Sequence, residues 1–168
     1  MNPSGRQNAG IDGRVAARTE PMFNQVLPAH PRAVRKVLHD IRRRFTGEVS
    51  EDTLGRLELV LAEVMNNVAE HSRGPACDAG TVVGLSIHVS IVRHVSGLCC
   101  AITDNGISLP PDCLIPRNPP PPVRSALPEG GWGWYIIHDL TQALCYYREG
   151  QRNYLAFNLP FGDDVLRH

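Results

Sequence analysis

Apolar residues recur along the chain with two different periods. In "HPRAVRKVLHDIRRRF", Val34, Leu38, Ile41 and Phe45 stand three or four positions apart, and Pro31 suits a first helical turn, so a first helix is predicted there. Leu54 to His71 repeats the helical spacing, with Leu57, Leu61, Val64, Met65 and Val68 on one face and Ser50 and Asp52 as candidate caps before it. "TVVGLSIHVSIVRHV" and "LCCAITD" are rich in Val, Ile and Thr and are separated by Ser96 and Gly97, which predicts an antiparallel strand pair. "MFNQVLPA" offers a short strand ahead of the first helix. "WGWYIIHDLTQAL" returns to helical spacing, and "CYYREGQRNYLAFNLP" predicts a closing hairpin around Glu149 and Gly150.

Between these segments lies a stretch that belongs to neither period. Residues 107–129 hold eight of the fourteen prolines, including "NPPPP", and so exclude a helix or a central strand; a long loop is predicted. The predicted order is strand, two helices, two strands, loop, helix, two strands. That order implies an α+β two-layer sandwich with the helices on one face of a mixed sheet, leaving the other face to solvent or a partner. Residues 1–20 are polar and aperiodic, a flexible arm by composition; 21–162 form one domain, and 163–168 are a short tail.

Composition narrows the classes. A chain of 168 residues that is 42% hydrophobic can bury one sizeable core. Seventeen basic and seventeen acidic residues give no net charge, so no global electrostatic case for nucleic acid or an acidic membrane arises. Lys36 is the single lysine, which rules out a GxxxxGK[ST] phosphate loop. Five cysteines without CxxC spacing suit reduced thiols, the first residues show no apolar leader, and no run is long enough to span a bilayer; a cytoplasmic protein is expected. No spacing of histidines and cysteines suggests a zinc site.

Candidate chemistry sits in three places. On the second helix, "LAEVMNNVAEH" puts Glu63, Asn67 and Glu70 on a polar face, although asparagine costs a few tenths of a kcal/mol against alanine inside a helix. A carboxylate there can take a proton, and a carboxamide one turn on can offer oxygen to a hard cation; a solvated helix face would look the same. "AITDNGIS" ends an apolar strand on Asp104, with Gly106 leaving room for a flat ligand, although Asn-Gly also makes hairpin turns. "EGGWGWYIIHDL" puts Gly130, Gly131 and Gly133 before a helix, where free N–H groups suit an anion.

Taken in order, these stretches resemble the GHKL, or Bergerat-fold, ATP-binding family, of the histidine-kinase-like ATPase type, and within it the small anti-sigma-factor serine/threonine kinases. "AEVMNNVAEH" is similar to the N box, "DNG" to the G1 box and "GGWGWYIIHDL" to the G2 box. The resemblance implies ATP or ADP with Mg²⁺ as ligands, Glu63 as general base, Asn67 as the Mg²⁺ ligand and His71 as the N-box histidine. It further implies that Asp104 reads the adenine amine with Gly106 under the base, and that Gly131 and Gly133, with Trp132 between them, lie along the phosphates. The lid, 107–129, departs from the family in its prolines, and Trp132 and Trp134 flank Gly133 where smaller residues are usual. Arg117 and Arg124 are within the lid and could reach phosphate.

The resemblance makes the partners a sigma factor and an anti-anti-sigma protein of the STAS type, phosphorylated on a hydroxyl. The alternative is a non-catalytic module that binds ATP and sequesters a regulator. Relatives commonly dimerise through the sheet, so a homodimer is an expectation. Arg32, Arg35 and Arg42, with Lys36, Arg43 and Arg44, load the first helix with positive charge and suggest docking to an acidic partner surface; a solvated face is the plainer reading.

Overall fold

Residues 22–71, 84–116 and 132–162 are described in this computed structural model, His71 by its backbone alone. The expected arm at 1–20, the tail at 163–168, the lid beyond Pro116 with Arg117 and Arg124, and Gly130 and Gly131 lie outside the described residues. Strands β1 (Phe23–Pro28), β2 (Ser86–His94), β3 (Gly97–Asp104), β4 (Gln142–Glu149) and β5 (Arg152–Pro160) form one sheet in the order β1-β2-β3-β5-β4. Helices α1 (Pro31–Phe45), α2 (Glu51–His71) and α3 (Trp132–Leu140) complete the described elements, with a short 3-10 turn at Pro111–Leu114. The expected mixed sheet is corrected: all four strand pairings are antiparallel. Helices fall between β1 and β2 and between β3 and β4, yet neither crossover returns to a parallel neighbour.

Local chemistry explains the helix ends. His30 caps α1, its Nδ1 accepting the Arg32 N–H at 3.2 Å, and Pro31 occupies the first turn, where its missing N–H costs nothing. Arg42, Arg43 and Arg44 stand in the last turn, where cations suit the helix dipole, and Thr46 Oγ1 donates to the Arg42 carbonyl at 2.7 Å. Ser50 Oγ accepts the Thr53 N–H at 3.2 Å and starts α2 three residues before the apolar periodicity becomes visible. Helix α3 stops at Leu140, four residues short of the expected Leu144. Thr141 donates from both N–H and hydroxyl to the Ile137 carbonyl, and the "QAL" that continued the apolar spacing is instead the start of β4.

The core lies between the helices and one face of the sheet. From α1 it takes Val34, Val37, Ile41 and Phe45, and from α2 Leu54, Leu57, Leu61 and Met65, all essentially without exposed surface. Ile87, Val89 and Ile91 of β2 alternate inward with Leu98, Cys100 and Ile102 of β3 and Leu155, Phe157 and Leu159 of β5. Each fully buried residue of this size contributes roughly 1.5–3 kcal/mol. The opposite sheet face carries exposed Cys99, Ala101, Cys145 and Ala156, and Tyr147 stacks on Tyr154 with ring centroids 4.6 Å apart. Among the described residues no helix is long and apolar enough to cross a membrane.

Candidate functional site

Strand β3 delivers Asp104 to the end of the sheet, on the face that carries the core. Only 9% of the residue is exposed. The Gly106 N–H and Asn153 Nδ2 both donate to its Oδ1, each at 2.8 Å. Oδ2 has no partner among the described residues and remains able to accept from an incoming group. Burial pushes this carboxyl above the usual carboxylate range, although the bonds from Asn153 and Gly106 and the charge of Arg148 pull the other way. After Asp104 the chain does not turn into a partner strand. Asn105 instead accepts the Ser86 N–H at 2.7 Å and donates to the Gly84 carbonyl at 3.3 Å, tying the turn to the start of β2.

Three residues that sequence reasoning missed complete this end of the site. Asn153, 3% exposed, also donates to the Ile107 carbonyl at 2.8 Å, and its Oδ1 accepts from Tyr146 at 2.9 Å and Arg148 at 2.6 Å. Arg148 further donates to the Gly106 carbonyl at 2.9 Å, and the Tyr146 hydroxyl accepts the Leu109 N–H at 2.9 Å. One signal was present. Asn153 is the polar member of an inward series whose others are Leu155, Phe157 and Leu159, and a polar side chain at a core position demands partners.

The second part of the site lies where α2 meets α3. Glu63 is half-buried on α2, and its carboxylate rests against Gly133 in the first turn of α3, so a side chain at Gly133 would collide with it. Glu63 has no ion pair among the described residues. One turn along α2, Asn67 Nδ2 is buried without a hydrogen-bond partner among the described residues, and so is Nε1 of Trp132 at the start of α3. Buried polar atoms without partners are uncommon, and each calls for a partner such as a water, a ligand or another part of the chain. Trp132 is held edge-on against Tyr135, ring centroids 5.9 Å apart.

The structure thus brings Glu63 to Gly133 and Asp104 to Gly106. No hydrogen bond or ion pair joins the two groups among the described residues. Gly131 and the His71 side chain lie outside the described residues. On α1, Arg32 and Arg35 are exposed with no ion pair among the described residues, but Arg42 is engaged: it bonds Glu58, and Glu51 at 3.0 Å, linking α1 to α2.

The open carboxylate oxygen of Asp104 at the end of β3 can accept from a hydrogen-bonding group, and the first turn of α3, beside Glu63, has backbone N–H groups of the kind that suit an anion. Residues 25–158 match the histidine kinase-like ATPase domain. Among solved structures, the chain is similar to the RsbU and RsbW domains of Rv1364c from Mycobacterium tuberculosis, with a TM-score of 0.51 at 13% identity. That likeness is one of fold; it covers 83% of this chain and 32% of the other, so the chain spans about a third of that protein's length. No match is found among curated proteins. With most of its length matched, this chain belongs to the histidine kinase-like ATPase domain family.

Proposed function

We propose that the protein is an ATP-binding anti-sigma regulator that phosphorylates a serine or threonine hydroxyl on an anti-anti-sigma partner of the STAS type. The observation that carries this reading is the meeting of Glu63 with Gly133, one helical turn from an Asn67 amide N–H that has no partner among the described residues. The residues fit a nucleotide: N–H groups of Asn67 and Trp132 without partners among the described residues, a helix start with no side chain at Gly133, and an open carboxylate oxygen on Asp104, while Asn67 Oδ1 is the oxygen of the type that Mg²⁺ takes.

In this reading Asp104 Oδ2 accepts from the exocyclic amine of adenine, and the peptide of Gly106 lies under the ring. The α3 amides and Trp132 Nε1 face the phosphates. Glu63, with no ion pair among the described residues, accepts the hydroxyl proton as the γ-phosphoryl group is transferred in line. Asn67 would hold Mg²⁺ through Oδ1, and the ion would supply charge neutralisation for the phosphates. The exposed arginines Arg32 and Arg35 offer an acidic partner a docking face, whereas Arg42 is already used within the chain. Support for the partner class is the fold likeness to a chain that contains an RsbW domain.

The test is transfer of label from γ-labelled ATP to the STAS-type protein encoded nearby, run beside calorimetry of ATP and ADP with Mg²⁺. Transfer that depends on Glu63 supports the reading. Tight binding with no transfer to any such protein leaves a sequestering module in place of a kinase.

A further inference from the structure

We infer that Asn153, Tyr146 and Arg148 act together as a positioning clamp that sets the edge of the site where the base is read, and thereby its preference for adenine. The inference rests on the nucleotide reading of Asp104 and adds to it the residues that aim the carboxylate.

Asn153 uses all four of its hydrogen-bonding capacities. Both amide hydrogens are engaged, one on Asp104 Oδ1 and one on the Ile107 carbonyl, and both lone pairs of its oxygen receive donors, from Tyr146 and Arg148. The amide therefore cannot turn over without breaking every bond it makes. Tyr146 has one hydroxyl hydrogen, which goes to Asn153, so its oxygen receives both the Leu109 N–H and the Ser108 hydroxyl at 3.2 Å. The clamp and Asp104 together hold four backbone groups within four residues. The Gly106 carbonyl is taken by Arg148, the Ile107 carbonyl by Asn153, the Leu109 N–H by Tyr146, and the Gly106 N–H by Asp104 itself. Residues 106–109 belong to no helix or strand, so these side chains supply what a ladder partner would otherwise supply.

Register makes the clamp. Asp104 stands opposite Asn153 in the β3–β5 pairing, and Arg148 stands opposite Asn153 in the β4–β5 pairing. Gly150, at φ 57°, forms the tight turn that holds the second pairing. A slip of one residue would send Arg148 to the other face. With Oδ1 of Asp104 held by two donors, Oδ2 points in one direction before a ligand arrives, and affinity is gained by not having to order it.

A clamp with only a structural role would weaken every nucleotide alike, whereas a positioning clamp acts on the base. The experiment is calorimetry of ADP and IDP, which differ at the exocyclic amine, with wild type, Tyr146→Phe and Asn153→Ala. Tyr146→Phe keeps the ring and its burial, so it serves where Asn153→Ala does not fold. Expected is a fall of about tenfold in ADP affinity for Tyr146→Phe, of the size of one lost hydrogen bond, and an ADP-to-IDP ratio that narrows by a similar factor. In the ligand-free protein, amide exchange at Leu109 should quicken in Tyr146→Phe while Ile102, in the middle of β3, stays protected. ADP and IDP affinities that fall in parallel, or do not fall, overturn the clamp and leave the nucleotide reading standing. Wild type that binds no ADP overturns the nucleotide reading and the clamp with it.

Discussion

Gly133 on α3 lies against the side chain of Glu63 on α2: a side-chain carbon placed on Gly133 would stand 3.3 Å from the Glu63 Cδ, 3.8 Å from its Cβ, and in collision with its carboxylate. The glycine is thus required by the acid, not by any unusual backbone angle. A methyl at this position would move the far end of a flexible side chain, and alanine is the better helix former by about 1 kcal/mol. Gly133→Ala should leave thermal unfolding nearly unchanged while lowering phosphoryl transfer at least about tenfold through the displaced Glu63. Gly97 is the counter-case. Its added carbon would meet the backbone of Leu159 and Pro160 on the paired strand β5, which cannot step aside, so Gly97→Ala should cost about 1–3 kcal/mol in chemical denaturation.

Glu63 and Asn67 should separate chemistry from binding. Glu63→Gln keeps the shape against Gly133 but cannot accept a proton, so nucleotide affinity should persist while transfer falls on the order of 10² to 10⁴-fold. Asn67→Ala removes an amide that serves the bound state as well as the transition state, and Mg²⁺-dependent affinity should fall together with transfer. Radiolabel transfer and calorimetry on each variant check both. A Glu63→Gln protein as fast as wild type would place the base elsewhere.

Asp104 predicts an acid limit to nucleotide binding. Its Oδ1 is occupied by two donors, so a proton would enter at Oδ2 and face the donor amine of adenine. Because burial raises this carboxyl, affinity should decline on acidification earlier than an ordinary carboxylate would allow; Arg148 on β4 is the charge that opposes the rise. The stability effect has the opposite sign. An acid raised in the folded state destabilises the fold while ionised, so this contribution is relieved as pH falls from the raised value towards the ordinary one. Asp104→Asn should abolish both pH effects. The same two donors would hold its amide oxygen at the Oδ1 position and turn its NH₂ towards the amine, weakening ADP binding about tenfold to a hundredfold by calorimetry.

The arginines of α1 should divide in the same way. Arg32→Glu with Arg35→Glu changes exposed charges that have no ion pair among the described residues, so unfolding should be unaffected while association with an acidic partner slows and loses its salt dependence. Arg42→Glu places a third carboxylate beside Glu51 and Glu58 and should instead lower stability, by about 1 kcal/mol or less, at a surface site. Stopped-flow association at two salt concentrations, with thermal melts, distinguishes the two outcomes.

Much of the architecture is local and was therefore legible in one dimension. The seams of α1 and α2 and the strand alternation of β2, β3 and β5 each follow from a period carried by the residues themselves. Glu63, Asn67, Asp104 and Gly133 were visible as candidates because each disturbs such a pattern with a polar or missing side chain. Pairing is not local. Whether β4 lies beside β3 or beyond β5, and whether the sheet is mixed or antiparallel throughout, depends on which edges meet after the chain folds back; hydrophobic spacing carries no record of that. The end of α3 was misplaced for a related reason, since Leu144 continues a helical spacing but is drawn into β4 by its partner strand. Asn153, Tyr146 and Arg148 mean nothing in sequence order. They become one clamp on Asp104 because strand register sets Asn153 opposite both Asp104 and Arg148, and a hydrogen bond depends on ångströms in space, whatever the separation along the chain.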